Sequence, residues 1–379
     1  MSITMEHALA EIHQRSRYPW DMGFFPASPA LSEGMPLKTP WLGQYWSYRT
    51  AHGLAGRDEL YGVLHRLNAP SGTVVDGCRG ALLGLAIGDA LGTTLEFRAR
   101  DSLTVNDIVG GGPFNLKPGF WTDDTSMACC LAYSLIKSKG FSAANQMECY
   151  AYWYQYGAYS PTGRCFDIGV TVKAALDKYL QTGEAYAGSA DPETAGNGSL
   201  MRLAPVVLFY HPDFEKTVRY AGESSRTTHQ ATEAVDACRY FAALLYGALN
   251  GVEKNLLLGG LYSPVEGYWE RHRLHPSIVK IVEGSYKGKS RDEINSSGYV
   301  VHTLEAALWA FYRSEDFRSG ALAAVNLAGD ADTVGAVYGQ LAGAYYGETG
   351  IPIDWITKTY AAHGFYHFVE DFQSMRCTD

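Results

Sequence analysis

Apolar residues in most of the chain recur at the three- and four-residue spacing of an α-helix rather than in the alternation of a β-strand. From residue 74 onward we find no convincing alternation of strands with helices. Breaks rich in glycine or polar residues interrupt the pattern at 110–113, 196–198 and 287–298. The pattern predicts one compact all-α domain over residues 75–379. Its helices are predicted at 80–91, 125–136, 146–156, 168–180, 200–210, 232–249, 300–312, 321–328, 336–346 and 355–372.

Residues 1–74 follow a different pattern. Five prolines between positions 19 and 40 exclude a long helix there, because proline removes a backbone donor. Eight aromatic residues between Tyr18 and Tyr48 give more apolar surface than a disordered linker carries. We therefore predict an extended N-terminal arm, with a short helix at 5–15 and a second helix at 46–67. The aromatic rings either cover the chain's own domain or anchor the arm on a partner protein.

Composition narrows the class of protein. The 379 residues carry a formal net charge of −9 and contain no run of lysine and arginine, so no nucleic-acid partner is expected. The seven cysteines lack the spacing of a disulfide framework, which is typical of reduced thiols in the cytoplasm. Neither a signal peptide nor an apolar run of membrane-spanning length is present. We expect a cytoplasmic protein with no membrane contact.

Two clusters of carboxylates and hydroxyls stand where predicted helices begin. Aspartate and threonine are good helix caps, which explains one or two of these residues. Adjacent carboxylates repel each other, however, and a cation between them explains the whole set. The two clusters are therefore predicted to form the two halves of one oxygen-lined site for divalent metal, with helix capping as the alternative. They are Thr122-Asp123-Asp124-Thr125 and Asp330-Ala331-Asp332-Thr333.

Three further acids could serve the same site. Asp89 lies in an apolar helix stripe with glycine every fourth residue, so its carboxylate needs a partner and could orient metal ligands. Glu96 follows that helix and either points into the same space or is a solvated surface residue. Asp167 stands at the start of another predicted helix, where capping is the alternative role.

Two glycine-rich turns could hold phosphate groups. Gly110, Gly111 and Gly112 can present consecutive backbone N–H groups, although such turns are common. A second turn precedes a predicted helix N-terminus, and both the backbone amides and the helix dipole there suit a diphosphate. An ordinary helix start is the alternative. This turn comprises Gly196, Asn197, Gly198 and Ser199, with Arg202 one helical turn later. His229 is ambiguous, because a lone histidine is usually structural.

Five motifs occur together and in this order along the chain. They are Gly84-x-x-x-Gly88-Asp89-Ala90-x-Gly92-x-x-x-Glu96, Trp121-Thr122-Asp123-Asp124-Thr125, Gly196-Asn197-Gly198-Ser199-x-Met201-Arg202, Thr228-His229 and Gly329-Asp330-x-Asp332-Thr333. Their combination, over about residues 74 to 372, resembles the ADP-ribosylglycohydrolase family. The resemblance implies an all-α fold with two Mg²⁺ or Mn²⁺ ions in a cleft, and an activity that removes ADP-ribose from proteins or small molecules.

The resemblance also implies roles for individual residues. Asp167 matches an Asp-Ile-Gly element of the arginine-cleaving branch, in which the acid faces the guanidinium group. Val170 departs from that branch, which often has a polar residue there. The implied metal ligands are Thr122, Asp123, Asp124, Asp330, Asp332 and Thr333; the catalytic carboxylates are Glu96, Asp123, Asp167 and Asp332. The implied substrate contacts are Gly110, Gly111, Gly112, Gly196, Asn197, Gly198 and Ser199, to which Asp167, Arg202 and His229 are added as candidates.

The function expected from the sequence is hydrolysis of the N-glycosidic bond between ADP-ribose and a protein side chain, with arginine as the predicted side chain. Oxygen ligands alone select Mg²⁺, Mn²⁺ or Ca²⁺ over zinc. Two rivals stay open, namely another two-metal hydrolase such as a phosphatase and a non-catalytic binding protein. The N-terminal arm has no counterpart in the family pattern, and its candidate partner is an ADP-ribosyltransferase toxin. The protein would then be an immunity protein, or antitoxin, against that toxin.

Overall fold

The computed structural model describes residues 71–376. Within that range the protein contains fifteen α-helices and no β-strand, which confirms the all-α class predicted from the sequence. The predicted N-terminal arm, with its helices at 5–15 and 46–67, lies outside the described residues. None of the helices between residues 71 and 376 is both long and apolar enough to cross a membrane.

The longest connections between helices within the described residues are 93–122, 183–203 and 283–299. Three short 3₁₀ turns, Thr93–Leu95, Pro192–Thr194 and Arg291–Glu293, lie between the helices. In chain order the helices are α1 (Val74–Gly92), α2 (Asp123–Ser138), α3 (Ala143–Tyr156), α4 (Val170–Thr182), α5 (Ala204–Tyr210), α6 (Phe214–Arg226), α7 (Thr232–Leu249), α8 (Lys254–Leu257), α9 (Tyr268–Arg271), α10 (Pro276–Val282), α11 (Val300–Arg313), α12 (Phe317–Val325), α13 (Ala331–Gly350), α14 (Ile353–Lys358) and α15 (His363–Arg376).

Several helices differ from the predictions. The helix predicted at 200–210 begins only at Ala204, after a series of turns. The helix predicted at 355–372 is two helices, α14 and α15, because Ala361 between them adopts a left-handed backbone with φ of 47°. Helix α6 was not predicted. It buries a face that includes Phe214 and Val218, but its other face is rich in charged residues. Too few apolar residues therefore remain for their spacing to indicate a helix.

Helices α1 and α13 form the centre of the fold and approach each other backbone to backbone. A Cβ atom at Gly88 would overlap the carbonyl oxygen of Gly335 on α13. At Gly92 a Cβ atom would overlap the carbonyl oxygen of Ala331 and the Cα atom of Asp332. The glycines of α1 therefore bring the C-terminal end of this helix, with Asp89, directly against the acidic start of α13.

Candidate metal and catalytic centre

The two acidic clusters meet at one point in the fold. Thr122 precedes α2, and Asp332 lies in the first turn of α13. The hydroxyl oxygen of Thr122 lies 3.0 Å from Asp124 Oδ2, 3.3 Å from Asp332 Oδ2 and 3.0 Å from Asp89 Oδ1. The hydroxyl of Thr333 lies 3.5 Å from the same oxygen of Asp124. The structure thus brings together oxygen atoms from both halves of the predicted site.

Asp89 is the residue that fixes the first half in place. Its carboxylate is fully buried and accepts four hydrogen bonds. The backbone N–H and hydroxyl of Thr122 donate to Oδ1 at 2.9 and 3.0 Å, and those of Thr125 donate to Oδ2 at 3.1 and 2.6 Å. Free N–H groups at a helix start need such acceptors. Asp89, Asp124 and Asp332 each offer one oxygen within 4.8 Å of the others. Since its hydrogen bonds already use its lone pairs, we assign Asp89 to bracing α2 rather than to ligation.

Glu96, Asp167 and Asp332 form a second carboxylate group, in which one oxygen of each lies within 4.8 Å of the others. Glu96 pairs with Gly329 in an isolated bridge just before the second acidic cluster. The next N–H, that of Phe97, donates to the Gly329 carbonyl at 2.7 Å. Asp167 has a left-handed backbone with φ of 60° and lies before α4, which begins at Val170. The helix start predicted at 168 is therefore two residues too early, and Asp167 lies in the loop that leads to it.

The carboxylates of this centre hold protons more tightly than usual. Burial raises the pKa of Asp89 to about 6 and that of Asp167 to about 7. Burial, together with the charges of Asp167 and Asp330, raises the pKa of Glu96 to about 10. The pKa values of Asp123, Asp124 and Asp332 lie well above their ordinary value, because these residues are buried next to other carboxylates; burial also raises the pKa of Asp330. Such crowding favours the presence of a cation.

Two carboxylate oxygens in this centre are buried without a hydrogen-bond partner. Within the described residues, neither Asp124 Oδ1 nor Glu96 Oε2 has a donor. Buried polar atoms of this kind are rare in folded proteins and indicate a missing ion or water. An oxygen-only set of donors suits a hard cation such as Mg²⁺ or Mn²⁺. The residues present therefore fit a divalent cation.

A cleft of about 600 Å³ opens onto these carboxylates, and we call it the acidic cleft. None of its described lining residues is a lysine or an arginine. Among the predicted site residues it is lined by Glu96, Asp123, Asp167, Gly196, Asn197, Gly198, His229, Asp330, Asp332 and Thr333. The cleft therefore gathers negative charge without a positive side chain to balance it.

The predicted glycine turn at 196–198 contributes polar contacts to the cleft. The side-chain amide of Asn197 donates to Asp330 Oδ2 at 2.7 Å and to the hydroxyl of Thr303 at 2.8 Å. His229 lies behind this turn, with its Nδ1 atom 2.9 Å from the hydroxyl of Thr228. Burial, and the positive charge of Arg202, lower the pKa of His229 to about 3, so its ring is neutral.

Sequence reasoning missed one segment of the cleft wall, Ser296 to Gly298. This segment lies in the polar stretch 287–298, which in the sequence marks only a break between predicted helices. The carbonyl of Gly298 accepts a hydrogen bond from Asn197 N at 3.0 Å, and Ser296 O accepts one from Asp330 N at 3.4 Å. In the sequence, only the small size of its residues, two serines and a glycine, indicated that this segment could pack closely against Asn197 and Asp330.

Several predicted substrate contacts lie away from the lining of the acidic cleft. Gly110 and Gly112 pack on the 3₁₀ turn after α1, where the hydroxyl of Thr94 donates to Gly110 O at 2.8 Å; neither they nor Gly111 line the cleft. Ser199 is buried, 2.8 Å from the hydroxyl of Ser225. Outside the lining are the predicted substrate contacts Gly110, Gly111, Gly112, Ser199 and Arg202, and also the predicted metal ligands Thr122 and Asp124.

Arg202 is fully buried because the turns at 198–202 fold it inward before α5 begins. Its guanidinium carbon lies 4.4 Å from the ring centroid of Tyr150, and Nη2 donates to Thr228 at 2.7 Å. The predicted position of Arg202 one turn into a helix is wrong, and the side chain supports the wall of the cleft from behind. Thr122 and Asp124 do not line the cleft and belong to the first acidic cluster.

Known proteins were compared with the chain. The sequence model of the ADP-ribosylglycohydrolase family matches residues 70–377. An ADP-ribosylarginine hydrolase Tri1 of Pseudomonas putida (strain GB-1) is 49% identical over 284 residues, which is 75% of this chain and 74% of the relative. The Tri1 protein of Serratia proteamaculans (strain 568) is 45% identical over 76% of each chain. The ADP-ribosyl-[dinitrogen reductase] glycohydrolase of Rhodospirillum rubrum is 33% identical, over 76% of this chain and 91% of its own.

A solved structure extends the comparison to three dimensions. A chain of an ADP-ribosylglycohydrolase-related protein complex superposes with a TM-score of 0.69 and 44% sequence identity. The match covers 80% of this chain and 98% of the solved one. The five sequence motifs, the helical fold and these matches agree, and the chain belongs to the ADP-ribosylglycohydrolase family as an enzyme.

Proposed function

We propose that this enzyme removes ADP-ribose from modified arginine side chains by hydrolysing the N-glycosidic bond at a centre of two divalent cations, Mg²⁺ or Mn²⁺. The observation that carries the proposal is the convergence of Glu96, Asp167 and Asp332 in a cleft with no lysine or arginine in its described lining. A guanidinium group and metal ions supply the positive charge that this cleft lacks. The Tri1 relatives at 49% and 45% identity, which are named as ADP-ribosylarginine hydrolases, support the choice of arginine.

The proposed ligands of the cations are the residues of the two acidic clusters. When bound, the cations would polarise the ribose hydroxyls and lower the pKa of a water molecule. Asp124 Oδ1 has no other partner among the described residues, which supports its role as a ligand. The proposed set is Thr122, Asp123, Asp124, Asp330, Asp332 and Thr333.

Asp167 and Glu96 have different proposed roles in the reaction. The Asp167 carboxylate, on the cleft wall, accepts two parallel N–H bonds from the guanidinium of the substrate and thereby orients the scissile bond. Glu96, which would be ionised when the cations are bound, takes the proton of the attacking water as the water oxygen bonds to the anomeric carbon. As the bond from that carbon to the guanidine nitrogen breaks, the nitrogen receives the proton that Glu96 took from the water. Val170, where the arginine-cleaving branch often has a polar residue, is 87% exposed at the cleft, so it leaves access to Asp167 open.

The test is hydrolysis of arginine-, serine- and cysteine-linked ADP-ribosyl proteins with Mg²⁺ and with a chelator. We expect release of ADP-ribose from the arginine-linked protein alone, and only with Mg²⁺. Asp167→Asn should lower kcat/KM for that substrate by about a hundredfold while leaving the affinity for free ADP-ribose within about threefold. Preference for a serine linkage, or full activity in the chelator, would refute the proposal. Turnover of a simple phosphate ester at a comparable rate would favour a phosphatase instead.

We also propose that residues 1–74 bind an ADP-ribosyltransferase toxin, so that the enzyme acts as an immunity protein in the cytoplasm. The support is the density of aromatic residues and prolines in this segment, nearly all of which lies outside the region matched by the family model. Rigid, aromatic-rich segments lose little conformational entropy on binding.

A further inference from the structure

A second cavity, of about 630 Å³, is lined by helices α6 and α7 and by the segment 268–273. Its walls carry five arginines against three carboxylates. The chain as a whole has a formal net charge of −9, so this surface opposes the charge of the rest of the protein. We call it the arginine groove, and its arginines are Arg219, Arg226, Arg239, Arg271 and Arg273.

The charges in the groove are not all neutralised within the protein. Arg239 forms a close pair with Asp236, with Nη1 2.6 Å from Oδ1. Arg219 and Arg273 are exposed, and neither has a carboxylate oxygen within 4.0 Å among residues 71–376. Within the described part of the chain, these two guanidinium groups therefore have no ionic partner.

The floor of the groove is built before any ligand binds. The guanidinium of Arg239 donates to the carbonyls of His272 at 2.9 Å and of Arg273 at 3.4 Å, which fixes the segment that carries Arg273. Its carbon Cζ also lies 5.6 Å from the ring centroid of Trp269. At Gly222 a Cβ atom would lie 3.2 Å from Arg239 Cγ, so glycine lets the arginine stem pack on α6. A preformed floor lowers the entropy cost of binding.

The arginine groove and the acidic cleft share one segment of chain. His229 lines the cleft, and the next residue, Gln230, lines the groove. Gln230 is held in place, because its side-chain amide donates to the carbonyls of Tyr186 and Gly188, each at 2.9 Å. The linings of the two cavities therefore adjoin along the chain at His229 and Gln230.

We propose that the arginine groove binds an acidic segment of the ADP-ribosylated protein substrate, an inference that rests on the proposed function. Arginine binds carboxylates through two parallel hydrogen bonds, which favours aspartate and glutamate side chains as ligands. The wall carboxylates of Glu215, Glu223 and Asp236 interrupt the positive surface. A continuous phosphate backbone would meet repulsion there, whereas a peptide can space its acids between them. Tyr268 and Val235 offer apolar contacts to the intervening residues.

The first experiment measures binding of a short fluorescein-labelled peptide of alternating aspartate, tyrosine and glycine by anisotropy, with the full-length protein. We expect binding that weakens as salt is raised. R219E/R273E should weaken it by about tenfold or more, and R219K/R273K should restore most of it. The control K117E/K139E makes the same change of charge at two exposed lysines outside both cavities, and it should bind as the wild type does. Circular dichroism verifies that each variant is folded.

The second experiment separates this inference from the proposed function. The ratio of kcat/KM for an acidic ADP-ribosylated protein to that for free ADP-ribosylarginine should fall about tenfold in R219E/R273E and stay unchanged in K117E/K139E. No release of ADP-ribose from ADP-ribosylarginine by the wild type would refute the proposed function. An unchanged ratio and unchanged peptide binding in R219E/R273E would overturn the groove proposal alone. It would also be overturned by equal binding of a peptide with asparagine in place of aspartate, or of single-stranded DNA or pyrophosphate.

Discussion

The carboxylate of Asp89 accepts both the backbone N–H and the hydroxyl of Thr122, at 2.9 and 3.0 Å. Its other oxygen receives the same pair of donors from Thr125. A single side chain on α1 therefore satisfies the open start of α2, where the first acidic cluster begins. Asp89 acts on the centre as a positioning residue, through the orientation of Thr122 and Asp124.

This relationship predicts the effect of Asp89→Asn. The amide can accept through only one atom, and its NH₂ group would face a backbone N–H that cannot accept, so at least one hydrogen bond is lost. We expect the free energy of unfolding to fall by about 1–3 kcal/mol, and the Kd for Mg²⁺ to rise about tenfold or more. Urea denaturation and calorimetric titration with Mg²⁺ measure the two effects. Thr125→Ser keeps the hydroxyl and serves as the control. An Asp89→Asn protein with wild-type Mg²⁺ affinity would show that the brace is not needed.

Close packing of α1 on α13 gives a second prediction, at Gly92. A Cβ atom there would overlap the backbone of Ala331 and Asp332, so Gly92→Ala must displace the start of α13. We expect a loss of stability of about 1–3 kcal/mol and a large drop in Mg²⁺-dependent hydrolysis. Thermal unfolding and the rate of ADP-ribose release are the measurements.

The matched control for Gly92→Ala is Gly260→Ala. No atom lies within 4 Å of the Cβ position at Gly260, and its φ lies outside the left-handed region. This variant should therefore unfold and turn over substrate as the wild type does. If Gly92→Ala also behaves as wild type, the helices can separate without disturbing the acidic centre, and the packing argument fails.

The sequence alone predicted the class of fold, the family and the pairing of two distant acidic clusters. The clusters could be paired because adjacent carboxylates repel each other, and one shared cation site would relieve the repulsion in both clusters. The wall segment Ser296 to Gly298 could not be found in this way, since only its tertiary contacts with Asn197 and Asp330 bring it to the cleft. Arg202 was misplaced for a related reason. Its sequence context suggested a helix start facing a ligand, whereas turns before Ala204 fold its side chain inward.

The raised pKa values of the buried carboxylates predict how stability depends on pH. Burial raises the pKa of Asp89 to about 6, of Asp167 to about 7 and of Glu96 to about 10, whereas carboxyls in the unfolded chain titrate near about 4. The folded chain therefore binds more protons, and the metal-free protein loses stability as pH rises from about 4 through the folded-state values. Bound Mg²⁺ favours the ionised carboxylates, so the Mg²⁺-induced gain in Tm should grow over the same range.

Scanning fluorimetry at several pH values between about 5 and about 8, in chelator and in excess Mg²⁺, checks this prediction. In chelator the Tm should decrease as the pH is raised. The difference in Tm between the protein in excess Mg²⁺ and the protein in chelator should increase with pH. A gain in Tm that is the same at every pH would mean that Mg²⁺ does not bind at the titrating carboxylates.

The N-terminal arm gives the last prediction, which follows from its sequence. If residues 1–74 anchor a partner through the aromatic residues between Tyr18 and Tyr48, deletion of residues 1–45 should leave hydrolysis of ADP-ribosylarginine unchanged. The same deletion should abolish binding of an ADP-ribosyltransferase toxin, measured by calorimetry. Asp332→Ala should do the reverse, losing hydrolysis but still binding the toxin. Loss of cooperative unfolding in the truncated protein would instead mean that the rings cover the enzyme's own domain. If the full-length protein is folded and active but binds no ADP-ribosyltransferase from its own cell, the proposal that the arm binds such a toxin is wrong.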